Sequence, residues 1–350
     1  YFSSNIEATA DVEEKEIGSV GDFVEGQMRE IQVGADKEKD VILVVRYQGK
    51  LYALGAKCSH FGAPMAQGQL FDDIVYCPWH LAKFDVKTGY AEGGPMIDSL
   101  PTYEIQERDR KVFVKVPKAI TVNKVEIKTV PRDPNNKTRF VIVGGGPAGA
   151  SAAESLRQSG FTGEIILLTS EEQLPYDRTI LTKNILKVEP KGVEIRSKDK
   201  YAQLGIDVRT KTQVIAVLPK EKNVQIGTGE KLHYDKILIA TGAKPKSLSV
   251  PGNNLKNIVN VRDFSDVYKL RESLKGAKNI VIIGGGLIGS ETASNLKLEL
   301  KDGVKVTIVS RGAPMASHFG NEVGNVLQKL GEENGINYVK DVVAKFEGKS

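Results

Sequence analysis

The two cysteines of this 350-residue chain each stand close to a histidine, in a pattern that suits metal binding. Cys58-Ser59-His60 is followed by sixteen residues and then by Cys77-Pro78-Trp79-His80. Two thiolates and two imidazoles suit Zn²⁺, or an iron–sulfur cluster in which two cysteines hold one iron and two histidines hold the other. The spacing favours the cluster, because each of two loops then supplies one ligand to each iron. We therefore predict Cys58, His60, Cys77 and His80 as ligands, with a structural zinc site as the alternative.

The residues around these ligands resemble Rieske [2Fe–2S] ferredoxin domains over about residues 16–118. The matching loops are "CSHFGAPMAQGQL" and "CPWHLAKFDVKTGY". The resemblance implies that the two histidines lie at an exposed tip. Respiratory members carry an extra cysteine pair and Ser and Tyr hydroxyls beside the cluster, where this chain has Ala82 and Phe84. Because fewer donors stabilise the reduced cluster less, we expect a potential near the low end of the Rieske range.

Two glycine-rich turns, each between an apolar strand and a helical pattern, indicate dinucleotide binding. Such a turn lets a pyrophosphate approach the N-terminus of the helix, where unpaired N–H groups and the dipole favour negative charge. Glu171, which lies 22 residues after Gly149, is placed to accept the ribose hydroxyls of the adenosine half of FAD. The residues that we expect to bind FAD at the first turn are Gly144, Gly146, Pro147, Ala148, Gly149 and Ala150.

The periodicity predicts that a β-α-β unit surrounds each turn, so that one architectural unit is used twice. The first unit is predicted as a strand over Phe140–Val143, a helix over Ala150–Ser159 and a strand over Ile165–Thr169. The second is predicted as a strand over Ile280–Ile283, a helix over Thr292–Leu300 and a strand over Val306–Val309.

The stretch "EEQLPYDRTILTK" resembles the "LPYxRPPLSK" segment of the ferredoxin-reductase and apoptosis-inducing-factor flavoproteins, with Thr179 and Ile180 in place of two prolines. The resemblance implies that Arg178 contacts FAD and that Lys183 lies near the reactive nitrogen of the flavin. It also places Val214 where the backbone holds the adenine. A disulfide reductase would carry a cysteine pair on the helix after its flavin turn, and this chain has no cysteine beyond Cys77.

The second turn resembles the nicotinamide dinucleotide site of the same family. The residues expected to bind the coenzyme there are Gly284, Gly286, Gly289, Glu291 and Arg311. The family layout implies that Glu291 pairs with Lys183 across the hydride-transfer site. An NAD-selective site usually ends its second strand in an acid, whereas this chain has Val309-Ser310-Arg311, where Arg311 could accept a 2′-phosphate. This pattern favours NADPH, although NADH stays open.

Composition and charge exclude other classes of protein. The 49 basic and 44 acidic residues form no basic runs, so we predict no nucleic-acid partner. No uncharged apolar run approaches the roughly 18 residues of a membrane span. We predict a multidomain chain in which an all-β Rieske module is followed by an α/β flavoprotein fold with two dinucleotide sites. The predicted boundaries are 16–118 for the Rieske domain, 119–138 for a linker, 139–250 for the first FAD segment and 251–350 for the NAD(P) domain.

The order of these motifs resembles apoptosis-inducing-factor-like proteins with an N-terminal Rieske domain. The resemblance implies an oxidoreductase that passes electrons from NAD(P)H to FAD, to the cluster and to an unknown one-electron acceptor. A redox-responsive cell-death signalling protein with little turnover is the alternative. The family completes its flavin domain after the NAD(P) domain and adds an interface domain, and residues up to Ser350 contain no match to either. We therefore expect weak flavin retention, in an intracellular compartment that is either cytoplasm or mitochondrion.

Overall fold

The computed structural model describes residues 12–118, 120, 124–300 and 303–348, and the chain divides into two compact units, residues 1–129 and 130–350. The described part of the predicted linker is shared between these units. Val125 and Ser99 exchange backbone hydrogen bonds of 2.8 Å within the first unit. Val130 N–H donates to the carbonyl oxygen of Arg157 (3.0 Å) in the second unit. No helix within the described residues is long and apolar enough to cross a membrane.

The described residues of the first unit form ten strands in two antiparallel sheets. The strands are β1 (Val12–Ser19), β2 (Met28–Gln32), β3 (Val41–Tyr47), β4 (Lys50–Gly55), β5 (Gln69–Phe71), β6 (Ile74–Tyr76), β7 (Lys83–Asp85), β8 (Ala91–Gly93), β9 (Thr102–Arg108) and β10 (Lys111–Pro117). The larger sheet has the order β1-β10-β9-β4-β3-β2, and the smaller has the order β5-β6-β7-β8. An all-β module was predicted, and the structure confirms it.

Strand β3 is buried on both faces, which explains its unbroken apolar sequence. Leu43 packs into one hydrophobic cluster, and its neighbour Ile42 packs into a second cluster. Successive side chains of a strand point to opposite faces, so a strand between two cores needs apolar residues at every position. A hairpin follows β3, and its turn residues Gln48 and Gly49 both have the positive φ of a type I′ turn.

The described residues of the second unit form two parallel sheets, one antiparallel sheet and five α-helices. The strands are β11 (Arg139–Val143), β12 (Glu164–Leu168), β13 (Ile206–Arg209), β14 (Val214–Leu218), β15 (Asn223–Ile226), β16 (Lys231–His233), β17 (Lys236–Ile239), β18 (Asn279–Ile283), β19 (Lys305–Ser310) and β20 (Ile336–Lys340). The helices are α1 (Pro147–Gln158), α2 (Lys198–Gln203), α3 (Phe264–Leu274), α4 (Leu287–Leu300) and α5 (Ala316–Glu333). The parallel sheets have the orders β13-β12-β11-β17 and β18-β19-β20, and β14-β15-β16 is antiparallel.

Both predicted β-α-β units are present, as β11-α1-β12 and β18-α4-β19. The helix of the second unit begins at Leu287, five residues before the predicted start at Thr292. The glycine turn therefore leads straight into the helix. Helix α1 likewise begins at Pro147, because a proline is tolerated in the first turn, where N–H groups have no partner within the helix.

The C-terminal end of α1 is held by a fully buried arginine. The Arg157 side chain donates to the carbonyl oxygens of Leu204 (2.7 Å), Phe161 (2.6 Å), Gly163 (2.9 Å) and Gly205 (2.9 Å). One side chain thus satisfies carbonyl groups from two different loops. It anchors the helix whose N-terminus faces the first glycine turn.

Replacing Arg157 with methionine is expected to lower the free energy of unfolding by about 3 kcal/mol or more, because four carbonyl oxygens would lose their donor and each buried unsatisfied group costs about 1–3 kcal/mol. Denaturant unfolding of the chain measures this change. Arg157→Lys keeps the charge but not the planar fork, so it should recover only part of the loss. An unchanged unfolding midpoint in Arg157→Met would contradict the proposed anchoring.

Candidate functional site

The four predicted metal ligands lie on two loops with the same hydrogen-bond pattern. The first loop follows β4 and the second connects β6 to β7. In both loops the cysteine N–H donates to the carbonyl oxygen five residues later, at 2.9 Å for Cys58 and for Cys77. Gly62 and Leu81, each four residues after a cysteine, have left-handed backbone and donate their N–H to the cysteine carbonyl oxygen. The two loops are therefore repeats of one structural unit.

The cysteines of these loops are buried, and the histidines lie nearer the surface. The exposed fractions of Cys58 and Cys77 are 2% and 1%, and both side chains pack in the same hydrophobic cluster. The ring centroids of His60 and His80 are 5.0 Å apart, and His80 is exposed. Burial raises the pKa of the Cys58 thiol to about 12. A thiolate at this position therefore needs a positive charge beside it, which a bound iron would supply.

This donor set fits a [2Fe–2S] group of the Rieske type. Within the described residues, no three His, Cys, Asp or Glu side chains converge on one point. A Rieske cluster needs only two protein ligands at each iron, a cysteine pair at one and a histidine pair at the other. The arrangement of one inner thiol pair and one outer imidazole pair is the arrangement that such a cluster would use.

The two positions predicted to lack hydroxyl donors are both inside the core that supports these loops. The side chains of Ala82 and Phe84 are fully buried, and they pack in the same cluster as Cys58 and Cys77. A hydroxyl introduced at either position would therefore point into an environment of low polarity.

Replacing Ala82 with serine is expected to raise the reduction potential of the cluster by up to about 60 mV, the shift equal to about 1.4 kcal/mol for a one-electron couple. The added hydroxyl would donate near the sulfurs and stabilise the more negative reduced form. An EPR-monitored redox titration measures the shift. Ala53→Ser, which buries a hydroxyl in the other core of this unit, serves as the control. A quinone-oxidising potential in the unsubstituted chain would contradict the expected low potential.

The first glycine turn is shaped for close backbone approach. A side chain at Gly149 would collide with the carbonyl oxygen of Gly144, so only glycine allows the turn to pack against α1. A Cβ at Gly146 would meet nothing within 4 Å. The open space at Gly146 lies at the N-terminus of α1, where a pyrophosphate is expected to bind. The turn therefore fits the phosphate portion of FAD.

Glu171, which we expect to bind ribose, shares its carboxylate with two neighbouring side chains. Tyr176 Oη donates to Glu171 Oε2 (2.7 Å), and Arg178 forms an ion pair with the same carboxylate. Arg178 also donates to Tyr176 Oη (2.8 Å) and to the carbonyl oxygen of Arg262 (3.2 Å). Burial raises the pKa of Tyr176, which keeps its phenol protonated as a donor. A carboxylate accepts about four hydrogen bonds, so Glu171 retains acceptor capacity for a ribose hydroxyl.

A cavity of about 410 Å³ brings most of the predicted FAD residues together. The predicted residues that line it are Gly144, Gly146, Pro147, Ala148, Glu171, Arg178 and Val214. Gly149 and Ala150 are buried behind this wall. The cavity is also lined by Thr241 and Lys244, which follow β17, and by a residue that sequence reasoning missed, Arg262. The last of these fixes Arg178 through its carbonyl oxygen.

The ion pair predicted between Lys183 and Glu291 is present. Lys183 Nζ lies 2.9 Å from Glu291 Oε1, and both side chains are about one-third exposed. Lys183 Nζ also donates to the carbonyl oxygen of Thr179 (3.0 Å). The second carboxylate oxygen of Glu291 accepts a hydrogen bond from Thr182. The segment after Arg178 and helix α4 are thus joined at one carboxylate.

The second glycine turn repeats the geometry of the first. A side chain at Gly289 would collide with the carbonyl oxygen of Gly284, as at the first turn. At Gly286, however, the imidazole of His318 stands 4.0 Å from the position of a Cβ. Arg311 is exposed one residue beyond β19. Gly284, Gly286 and Gly289 therefore form one turn, and His318 is an addition to the predicted residues beside it.

Sequence reasoning missed Thr182 and His318. The first of them belongs to a recognisable sequence motif, and the second does not. Thr182 immediately precedes Lys183, in the place of the serine of the "LPYxRPPLSK" pattern, so the pattern itself pointed to a hydroxyl. His318 is separated from Gly286 by 32 positions and belongs to no motif. Only the chain path after β19 brings it to the turn.

Family profiles match both units. The profile "Pyridine nucleotide-disulphide oxidoreductase" matches residues 138–350, and the profile "Rieske [2Fe-2S] domain" matches residues 13–104. Both matches agree with the motifs and folds described above.

Similar sequences include an apoptosis-inducing factor 3 from Homo sapiens, which is 36% identical over 97% of this chain and 56% of its own length. The ferredoxin–NAD(+) reductase component of a biphenyl dioxygenase system from Paraburkholderia xenovorans is 35% identical over 60% of this chain and 51% of its own. The chain thus spans about half the length of these relatives.

A solved structure of putidaredoxin reductase in covalent complex with putidaredoxin is also similar. It matches with a TM-score of 0.56 at 29% identity, over 62% of this chain and 53% of that one. A ferredoxin reductase from Rhodopseudomonas palustris matches with a TM-score of 0.57 at 25% identity, over 61% and 53% of the two chains. The chain belongs to the pyridine nucleotide-disulphide oxidoreductase family, and it joins a Rieske [2Fe–2S] domain to the oxidoreductase domain.

Proposed function

We propose that this chain is an NAD(P)H-dependent oxidoreductase that passes electrons through FAD and a Rieske [2Fe–2S] cluster to a one-electron acceptor. When bound, FAD takes a hydride from the coenzyme and releases electrons singly, and the cluster carries one electron at a time. The observation that carries the proposal is the presence, in one chain, of a two-loop Cys/His ligand set and of the Lys183–Glu291 ion pair between two dinucleotide turns.

The residues around the first turn would bind and orient FAD. The N-terminus of α1 would hold the pyrophosphate through backbone N–H groups. Glu171 would accept a ribose hydroxyl, while Tyr176 and Arg178 keep its carboxylate in one orientation. Val214 lines the same cavity and would contact the adenine through its backbone. No protein acid or base is needed, so the task of these residues is to position the cofactor.

The Lys183–Glu291 pair would define the place of hydride transfer. Lys183 is proposed to hold a positive charge beside the flavin, where negative charge develops on reduction. Glu291 receives hydrogen bonds or ionic contacts at both oxygens, from Lys183 and Thr182, so its carboxylate has one orientation. Helix α4, which carries Glu291, also borders the coenzyme turn. The ion pair would therefore couple coenzyme position to flavin position.

We propose that the acceptor is a one-electron carrier that meets the imidazole side of the cluster site. Relatives include the ferredoxin–NAD(+) reductases of two dioxygenase systems, whose names pair a nicotinamide coenzyme with a ferredoxin, which is a one-electron carrier. In this chain a ferredoxin-like domain is part of the same polypeptide. We further propose a reducing intracellular compartment, because the only two cysteines of the chain are the cluster ligands.

Metal analysis combined with anaerobic reduction tests this proposal. We expect about two irons and two acid-labile sulfides per chain, and an EPR signal of the reduced cluster after NAD(P)H is added to the FAD-loaded protein. Zinc without sulfide would identify the structural zinc alternative and refute the relay. A cluster that dithionite reduces but NAD(P)H does not would refute the electron path.

The second candidate function of this chain is redox-dependent signalling, which is suggested by the name of its relative apoptosis-inducing factor 3. Turnover distinguishes the two. NAD(P)H-dependent reduction of an artificial one-electron acceptor at about 1 s⁻¹ or faster, within the usual range of enzymes, supports the oxidoreductase. Slow turnover with a long-lived charge-transfer absorbance supports signalling by a redox-dependent conformation.

A further inference from the structure

The two β-α-β repeats of the second unit allow the coenzyme site to be aligned with the flavin site residue by residue. In the flavin repeat, Gly144 N–H donates to the carbonyl oxygen of Leu168 (2.8 Å). In the coenzyme repeat, Gly284 N–H donates to the carbonyl oxygen of Val309 (2.9 Å). Leu168 and Val309 therefore occupy equivalent positions at the ends of β12 and β19.

The next position confirms this alignment. Thr169 follows Leu168, and a Cβ on the second glycine of the first turn would lie 2.8 Å from its hydroxyl oxygen. Ser310 follows Val309, and a Cβ on the second glycine of the other turn would lie 3.1 Å from its hydroxyl oxygen. A small hydroxyl side chain thus lies beneath each turn at the same place.

The alignment assigns a different residue to the ribose position of each repeat. Glu171 lies three residues beyond Leu168, and the residue three beyond Val309 is Gly312. Rossmann sites for NAD use an acidic side chain to hold the ribose 2′-hydroxyl. The coenzyme repeat has no side chain at the position that supplies this carboxylate in the flavin repeat.

The residue before Gly312 is a cation that faces solvent. Arg311 is exposed, and within the part of the chain that the structure describes it has no carboxylate partner. One charge of each sign lies at the end of the adjacent strand β20, with Lys340 as its last residue and Asp341 just beyond it. The backbone N–H of Asp341 donates to the Ser310 carbonyl oxygen (3.0 Å), and its carboxylate accepts from the next backbone N–H. The net charge at this edge is therefore positive.

We propose that this site selects a dinucleotide with a 2′-phosphate, which is NADPH, and that Arg311 and Gly312 determine the selection. The inference rests on the proposed function and deepens it. Arg311 pairs with the 2′-phosphate through charge-assisted hydrogen bonds. Gly312 leaves room for that phosphate and removes the carboxylate that would repel it.

Binding of adenosine fragments tests the proposal without any electron transfer. Calorimetry on the full chain compares adenosine 2′,5′-bisphosphate with adenosine 5′-monophosphate, which lacks the 2′-phosphate. We expect the bisphosphate to bind more tightly. Arg311→Gln should weaken its binding by about 10- to 100-fold, the range for one charge-assisted contact, and should change monophosphate binding little. Equal binding of the two fragments to the unsubstituted chain would overturn the proposal.

A carboxylate introduced at Gly312 provides the opposite test. A Cβ at this glycine would meet nothing within 4 Å, and its φ lies outside the left-handed region, so a side chain fits. Gly312→Glu is expected to reverse the preference toward the monophosphate and NADH, whereas the isosteric Gly312→Gln should not. If Gly312→Glu and Gly312→Gln behave alike, Gly312 has no role in selection. Selective NADPH binding without flavin reduction would leave this inference intact and refute the proposed function.

Discussion

Cys77→Ser is expected to abolish the cluster, so that iron falls from about two atoms per chain to background and the EPR signal of the reduced Rieske centre disappears. Cys77 is 1% exposed and packs in the same buried cluster as Cys58. Iron–sulfur clusters bind soft thiolates, and a serine oxygen is a much poorer ligand in a buried site. Reduction of added FAD by NAD(P)H should continue, because Lys183 and Glu291 belong to the other unit.

Trp79→Phe is the matched control for this result. Trp79 lies in the same loop, between Cys77 and His80, but its side chain is 56% exposed and is not a predicted ligand. The control should keep its iron, its sulfide and its EPR signal. A Cys77→Ser protein that retained the Rieske signal would show that the ligand assignment is wrong.

Glu291→Ala is expected to slow the reduction of bound FAD by NAD(P)H on the order of 100-fold, the usual loss for one positioned electrostatic contact at a reacting centre. The reason is that Lys183 would lose its ion-pair partner, since its Nζ lies 2.9 Å from Glu291 Oε1 and is held in position by that contact. The stability change should be small, since an ion pair that is one-third exposed contributes at most about 1 kcal/mol. A large effect on rate with a small effect on unfolding would separate a functional role from a structural one.

Stopped-flow flavin absorbance measures this rate, at low and high salt. The loss should persist in high salt, because it reflects position rather than long-range steering. Glu299→Gln is the matched control. Glu299 is also on α4 and accepts a hydrogen bond from Leu186 N–H (3.1 Å), so it contacts the same flavin-side segment without contacting Lys183. Equal rates in Glu291→Ala and the unsubstituted chain would remove the ion pair from the mechanism.

Local patterns were sufficient to predict much of this molecule. Both glycine turns could be located from the spacing of their glycines. This spacing is visible in the sequence because the close contacts at Gly149 and Gly289 allow no other residue. The strand after each turn could be located because apolar runs such as that of β12 are buried on both sides. The start of α4 was predicted too late, since the periodicity of its apolar residues becomes regular only after the glycines.

Other features depend on contacts between residues that are distant in the chain. Neither the partnership of Thr182 with Glu291, 109 positions away, nor the position of His318 beside Gly286 follows from a local pattern. The backbone hydrogen bonds of the predicted linker 119–138 could not be predicted from its local sequence either. The sequence predicted only a linker here, and the structure adds that Val125 pairs with Ser99 and that Val130 pairs with Arg157.

The sequence by itself determined the chemistry available to this protein, because metal ligands and glycine turns require particular residue types at short, fixed spacings. Cys58, His60, Cys77 and His80 could therefore be named before any fold was known. Only the tertiary structure decided which groups meet. It brought Lys183 to Glu291, and it aligned Gly312 with Glu171 across two repeats. These spatial relationships depend on strand register and helix packing. Register and packing arise from contacts spread over the whole unit and are not encoded in any single motif.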